Sequence, residues 1–471
     1  MHYHLIGIAG TAMGSLAGLL RAKGHVVTGS DQGVYPPMSD VLDELGIVYA
    51  HSFDAANLDG APDVVIVGNA ISRGNPELEA VLDRGLRYAS AAGTIKEELL
   101  QGRHVLAVAG THGKTTTTSL LAWLLESAGL EPSFLIGGVA ENFAASFRLT
   151  DSDFFVIEAD EYDTAYFDKG PKMWHYLPRT AVVTNVEFDH ADIYRDETAY
   201  RFAFERFVNL VPRTGTLVIG WEGDIERALA ARSFAPVESF AVASRHVEQS
   251  QPRWIASDVE YGPDGTTFTL VRVGIEIGRF ATPLSGAFNV RNCLAGMAAA
   301  RAAGASWDGI REGLRTFRSV RRRMEIRGEV RGVTVIDDFA HHPTAVRETI
   351  DAARQRYPGR RVVAVFEPRN YTSQRREFQD RFRAALAAAD RVVLAALFKP
   401  ERYDEQTGMD PAELVAGLEA DGVDASYIPQ VDDIVAAVVS GASSGDVVLI
   451  MSNGGFGGIH EKLLRALGSE G

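Results

Sequence analysis

The stretch Val105–Thr118, VLAVAGTHGKTTTT, constrains this chain more than any other. An apolar run from Val105 to Ala109 reads as a buried strand. Glycines bound the turn that follows, and Lys114 with four threonines opens a helix continuing as SLLAWLLESAG. Strand, glycine turn and a lysine-plus-hydroxyl helix start make a phosphate cradle, because loop N–H groups and the helix N-terminus hold anionic oxygens. Lys114 reaches the terminal phosphates in such a cradle, and Thr115 offers its hydroxyl to Mg²⁺. The standard motif has a glycine five residues before Gly113; here that residue is Val108, so GTHGKT is a shortened variant.

A chain of 471 residues is too long for one core and implies about three domains. The net charge of −15 argues against a nucleic-acid partner, so any anionic ligand must be held by local Lys, Arg, Mg²⁺ and backbone N–H groups. The opening MHYHLIGIAG lacks a basic n-region and reads as a strand, which predicts no export signal. No apolar run is long enough to enter a membrane as a spanning helix. The single cysteine, Cys293, excludes an intrachain disulfide framework and fits a cytoplasmic enzyme. It lies in the apolar helical stretch NVRNCLAGMAAA and reads as a buried, inert thiol.

The fold class is α/β, in three domains that each carry a largely parallel sheet. Residues 1–102 read as a Rossmann-like domain. A strand at His4–Ile8 leads into Gly7, Gly10 and Gly14 and a helix, and a second strand at His25–Thr28 ends in Gly29-Ser30-Asp31. The spacing G-x-x-G-x-x-x-G has Ala9 where the dinucleotide fingerprint has its second glycine, which favours a nucleotide diphosphate over NAD. A third strand, Asp63–Val67, runs into Gly68-Asn69, and Pro76 sits near the start of another helix.

Residues 103–319 read as an ATPase-like central domain with an antiparallel extension. Strands at Phe134–Gly138, Phe154–Ile157 and Thr180–Thr184 are expected to be parallel. The second leads into Glu158-Ala-Asp160-Glu161-Tyr-Asp163 and the third into Asn185-Val-Glu187-Phe-Asp189-His190. Acids at the carboxyl edge of such a sheet lie where α/β ligands bind, and carboxylate with phosphate oxygen suits Mg²⁺. Lys114, Thr115, Glu158 and His190 are therefore expected to converge; a histidine satisfied by its neighbouring acid is the other reading. Ile255–Val259 and Thr267–Val273 alternate around a Gly262–Gly265 hairpin turn. Asn289 and Asn292 share a helix face, as two amides reading one planar base would, or as helix capping would place one of them. The arginines at 318, 321, 322 and 323 mark a second linker, either a solvated turn or a hinge that closes on a phosphate.

Residues 320–471 read again as Rossmann-like. Strands are expected at Val333–Ile336, Val362–Phe366, Arg391–Leu394 and Asp446–Met451; the first ends in Asp337-Asp338 to His341-His342, the second in Glu367 to Thr372, and the last in the glycine-rich 452–460 loop.

Taken together, GTHGKTTT, EADEYD, NVEFDHAD, SGAFNVRN, RRRME and DDFAHHPT resemble the Mur ligase family, in family order and over essentially the whole chain. The resemblance implies an ATP-dependent enzyme that joins a carboxylate to an amine through an acyl phosphate. DDFAHHPT and EADE look like the branch acting on UDP-N-acetylmuramate. Val34–Ser39, Gly68–Glu77 and Met451–His460 point to a murein tripeptide as acceptor, with L-alanine as the alternative.

The resemblance further implies that Gly7, Gly10, Gly14, Ser30, Asp31 and Asn69 hold the UDP sugar. Gly110, Thr111, His112, Gly113, Lys114, Thr115 and Thr116 would cradle ATP, with Asn289 and Asn292 at adenine. Thr115, Glu158 and His190 would hold Mg²⁺. Arg323 and Asp338 would meet the nucleotide from the third domain, with His341 near the transferred phosphate. Arg369 and Asn370, together with Thr372, Lys399 and Arg402, are candidates for the acceptor's carboxylates or for a solvated strand-end loop. Some branches carry a carbamylated lysine after the DH pair; ADIYRDETAYRFAFERF has none, which predicts a metal site without it. A nucleotide sensor lacking catalysis and a nicotinamide oxidoreductase are the rival readings.

Overall fold

The computed structural model describes residues 1–35, 38–244, 247, 251–404 and 406–469. Pro36 and Pro37, within the Val34–Ser39 stretch, lie outside the described residues. No helix among the described residues is long and apolar enough to cross a membrane.

Three large sheets carry the described residues, with a small two-stranded one pairing Asp163–Ala165 and Asp168–Pro171. The first is fully parallel, in spatial order Val48–Ala50, Val26–Ser30, His2–Ile6, Val64–Val67, Tyr88–Ser90. Its first strand ends at Ile6, two residues before the expected Ile8. The cause is local: the N–H groups of Gly7 and Ile8 both donate to Ser30 O, at 2.8 and 3.1 Å. Gly7 turns the chain there with φ +86°, a conformation open to glycine.

The second sheet has ten strands. Its parallel part runs Trp254–Gly262, Val237–Val242, Thr216–Gly220, Pro178–Val183, His104–Ala109, Phe154–Glu158, Ser133–Ala140. Gly265–Arg272 and Ile275–Thr282 extend it antiparallel at one edge, and Ala145–Arg148 pairs antiparallel at the other. The strands of its middle are apolar throughout because both faces are covered. Helices Lys114–Ser127, Ala287–Ala302 and Trp307–Thr316 pack on one face; Glu197–Val208 and Asp224–Ala230 cover the other. Cys293 is fully buried in the first layer, and burial pushes its thiol up to about 12.

The third sheet runs Glu325–Val330, Val333–Asp338, Val447–Met451, Val362–Phe366, Arg391–Leu394, Asp424–Tyr427, parallel except for the first strand. The linker before it is held to the central sheet. Val320 bridges Ala140, and Arg321 N–H donates to Val139 O at 3.2 Å. Ser319, Arg322 and Met324 all have positive φ, so this linker is a strained and specified turn. Its Arg323 turns toward the phosphate loop, whereas Arg321 is exposed and pairs with Glu141.

Candidate active site

The phosphate-loop helix starts directly after Gly113, whose φ of +82° only glycine adopts cheaply. The turn before it is tied to the neighbouring strand end. Thr111 N–H donates to Asn185 O at 3.0 Å, and His112 N–H to Asn185 Oδ1 at 2.9 Å. The Thr111 hydroxyl donates to Glu187 O and accepts from Glu187 N–H, both at 2.9 Å. A Cβ on Gly110 would lie 3.0 Å from Asn185 O, and one on Gly113 would overlap the Asn292 amide. The loop is thus shaped by close backbone approach on both sides. Thr116 is buried in the first helical turn.

Lys114 does not point into solvent. Its Nζ donates to Gly110 O at 2.7 Å and pairs with both Glu161 oxygens at 2.9 and 2.8 Å. Glu161 is the hub of the cluster: fully buried, it also meets His190 Nε2 at 3.1 Å and accepts from Tyr200 OH at 3.3 Å. Burial opposes the Lys114 charge, but Glu161, Asp160 and Glu158 together keep its pKa above the ordinary lysine value. Burial likewise opposes charge on Glu161 and His190; Lys114 and then His190 hold the carboxyl low, and Glu161 holds the imidazole high. His190 has φ +56°, a strained backbone of the kind that collects at functional sites.

Glu158 sits beside this cluster. Its Oε1 accepts from Thr115 Oγ1 at 3.0 Å and its Oε2 from Gly137 N–H at 2.8 Å, while burial raises its pKa. Arg323 reaches across from the turn before the third domain's first strand, its Nη2 donating to Thr115 Oγ1 at 3.3 Å. So Lys114, Thr115, Glu158, His190 and Arg323 do gather. His190, however, binds Glu161 and not Glu158, and Glu161 is the residue the sequence reading passed over. Its signal was its place three residues after Glu158 in EADEYD.

The other expected residues fall as follows. Asn292 Nδ2 donates to Asn289 Oδ1 at 3.1 Å, and Asn289 Nδ2 to Ser285 O at 2.8 Å; both side chains are buried. The pair therefore braces the loop through Gly113. Asp338 accepts from Met324 N–H and Ala340 N–H, each at 2.8 Å, and burial raises its pKa against the pull of Arg323. His341 Nδ1 meets Phe339 O at 2.8 Å, and burial lowers its pKa to about 4. In the first domain, Asp31 accepts from Ala9 N–H at 3.0 Å and Gln32 N–H at 2.8 Å, so it shapes the turn carrying Gly10. Ser30 is buried, Asn69 is exposed just after its strand, and Gly14 is buried beneath Met38. Arg369 stacks over Phe398, 3.7 Å from the ring centroid, and Asn370 Oδ1 accepts from Ser373 N–H at 2.8 Å. Among the described residues, no hydrogen bond joins the first-domain groups, Arg369 or Asn370 to the Lys114 cluster, whereas Asp338 lies in the field of Arg323.

Beside the phosphate loop lies a cavity of about 340 Å³, lined among others by His112, Asn185, Glu187, Trp221, Arg291 and Thr344. Glu187 spans the two domains there. Its Oε1 accepts from Thr344 Oγ1 at 2.9 Å and from Arg381, and its Oε2 meets His112 Nε2 at 3.1 Å. Burial opposes its charge, but these donors and His342 hold its pKa down to about 2.

Three family models match successive parts of the chain. They are described as Mur ligase family, catalytic domain (residues 2–101); Mur ligase middle domain (108–300); and Mur ligase, glutamate ligase domain (322–454). The chain belongs to the Mur ligase family. This Mur ligase is 43% identical to the UDP-N-acetylmuramate–L-alanyl-γ-D-glutamyl-meso-2,6-diaminoheptandioate ligase of Escherichia coli K12, over 99% of this chain and 98% of that protein. It is 35% identical to the UDP-N-acetylmuramate–L-alanine ligase of Burkholderia cenocepacia HI2424, over 98% of this chain and 97% of that protein. Among solved structures it is similar to the murein peptide ligase of Psychrobacter arcticus, with TM-score 0.72 and 38% identity, covering 100% of this chain and 99% of that one. The three-domain α/β architecture is that of the family, whose members are ATP-dependent ligases, and this protein is one. Membership decides against the sensor and oxidoreductase readings.

Proposed function

We infer that this Mur ligase joins the lactyl carboxylate of UDP-N-acetylmuramate to the free amine of L-alanyl-γ-D-glutamyl-meso-diaminopimelate, releasing ADP and phosphate. The observation that carries the acceptor is the higher identity, 43% against 35%, to the tripeptide ligase than to the L-alanine ligase, both over nearly the whole chain. The work belongs to reuse of cell-wall peptide in the cytoplasm. Domain divisions at residues 102/103 and 319/320 fit the gaps between the three sheets.

A carboxylate is a poor electrophile, so the reaction first moves the γ-phosphoryl group of ATP to the lactyl carboxylate. The amine then attacks the acyl phosphate, and the tetrahedral adduct expels phosphate. Charge builds on the phosphoryl oxygens during transfer, so preorganised cations count most there. Lys114, kept charged by Glu161, supplies one cation from the loop, and Arg323 another from the third domain. Residues 110–116 cradle the phosphates, Asn289 and Asn292 serve the adenine end, and Asp338 orients the segment carrying His341 toward the transferred group.

The donors for Mg²⁺ fit as well. Thr115 Oγ1 and Glu158 Oε1 lie 3.0 Å apart, matching the spacing of about 2.9 Å between adjacent ligands of an octahedral ion bound at about 2.1 Å. His190 completes the set when released from Glu161. A bound Mg²⁺ would neutralise charge on the phosphate oxygens. Gly7, Gly10, Gly14, Ser30, Asp31 and Asn69 form the UDP-sugar end, and Arg369 and Asn370 the acceptor end.

The reading is tested by offering the protein ATP, Mg²⁺ and UDP-N-acetylmuramate with either acceptor. ADP release should depend on the tripeptide; preference for L-alanine overturns the assignment. Lys114→Ala should abolish ADP release with little loss of UDP-sugar binding, and wild-type-like turnover in that variant would refute the role of the loop.

A further inference from the structure

We propose that His112, Glu187 and His342 form a second metal site, between the central and third domains, for one divalent transition-metal ion of the zinc class. It shares no residue with the Thr115–Glu158–His190 set and does not rest on the acceptor assignment.

The geometry is close to that of a bound site. One ligand atom from each residue lies within 4.8 Å of the other two. Ligands of a tetrahedral ion at about 2.05 Å lie about 3.3 Å apart. Glu187 Oε2 is 3.1 Å from His112 Nε2 and 3.7 Å from His342 Nδ1, which brackets that value. Among the described residues no other three histidine, cysteine or acidic side chains meet so closely.

The two oxygens of Glu187 divide their work. Oε1 is held by the Thr344 hydroxyl and Arg381, leaving Oε2 turned to both histidines. Such outer hydrogen bonds orient a ligating carboxylate. His342 is fully buried. Its ligand atom Nδ1 takes a long helix-cap contact of 3.4 Å from Thr344 N–H beside the 3.7 Å approach of Glu187, so its lone pair is weakly engaged. The protein's own groups thus compensate poorly for burying this ring. Two imidazoles and one carboxylate suit zinc, cobalt or copper, whereas magnesium and calcium favour all-oxygen sets. Because His112 and Glu187 border the cavity, a fourth position can be filled from it. An ion here ties the third domain to the phosphate loop.

The test uses the full, metal-stripped chain. Equilibrium dialysis with Zn²⁺ should show one retained ion, and Cu²⁺ bound in its place should give an electron-spin-echo signature of two imidazoles. His342→Asn preserves the helix cap, since asparagine caps well, and should weaken Zn²⁺ binding at least about tenfold, leaving one imidazole on copper. No retained Zn²⁺, a single imidazole in the wild type, or undiminished Zn²⁺ affinity in the variant overturns the proposal. The wild-type copper spectrum decides alone if the variant fails to fold. None of these outcomes touches the ligase reading.

Discussion

Glu161 shows how one buried carboxylate sets the charge state of a site. It has no solvent exposure and holds both Lys114 and His190. Glu161→Gln keeps the shape but strands a buried ammonium, a change that typically costs about 3–5 kcal/mol. The urea midpoint should fall accordingly, and ADP release with it; an unchanged midpoint contradicts the hub. A pH signature goes with the loss. The folded pKa of His190 lies above its ordinary 6.5, so its pairing stabilises the fold fully below about pH 6.5 and is lost as pH rises through the raised value. Stability measured against pH should show this alkaline decline in the wild type and not in Glu161→Gln.

The opposite sign holds for the histidines at the start of the helix Pro343–Arg356. Burial depresses His341 to about 4 and His342 to about 3. Their contribution is present above about pH 6.5 and fades as pH falls through those values, because folding must keep them neutral. Denaturation below pH 6.5 should therefore be shallower in His342→Asn than in the wild type, even if the variant starts less stable. An identical acid limb would remove His342 from the acid response.

At the scale of elements, the position of the phosphate-loop helix depends on what it rests against. Gly309 and Gly313 of helix Trp307–Thr316 face it; a Cβ on Gly309 would lie 2.6 Å from Ala128 Cα, and one on Gly313 2.8 Å from Leu124. Gly309→Ala must push the two helices apart and should cost about 1–3 kcal/mol by denaturant unfolding, the usual price of overpacking. Equal stability would show that this pair slides freely.

This contact was not legible in the sequence, where a glycine in a helix reads only as a weak position. The loop and its strand were legible because one short segment carries both the apolar run and the anion-binding turn. The gathering of Lys114, Glu158 and His190 was legible because parallel strands end together at one edge of their sheet. The choice between Glu158 and Glu161 was not: both lie in one acidic run, and only the fold shows which one is buried against Lys114. The His2–Ile6 strand was misplaced because Ile8 continues the apolar pattern after Ser30 has already turned the chain.

The whole molecule is joined in two ways. Between the first and central domains the contact is largely apolar, with one hydroxyl hydrogen bond of 3.0 Å between Ser15 and Ser146. Phe147 lies over Gly18, and buried side chains from Leu16 to Phe204 form one continuous cluster. The central and third domains meet through more polar groups, Thr344 and Arg381 on Glu187, Arg291 on Glu348, and Arg323 on Thr115, beside Phe188 and Phe288, which pack on the third domain's core. Polar contacts exchange with water and ligands more readily than apolar ones, so we expect the second joint to open before the first.

Thr372 is a buried member of that joint. Its hydroxyl donates to Asp189 Oδ1 at 2.6 Å, with both residues buried, and Asp189 in turn accepts from His190 N–H at 2.7 Å. Thr372→Val removes the donor and leaves part of a buried carboxylate unpaired, at a cost of about 1–3 kcal/mol. That cost falls on the closed arrangement, because opening lets water reach Asp189. Small-angle scattering should then show a larger radius of gyration for the variant than for the wild type, with slower ADP release and a preserved far-ultraviolet circular dichroism spectrum. A variant with wild-type dimensions and wild-type rate would mean that Thr372 plays no part in holding the third domain against the phosphate loop.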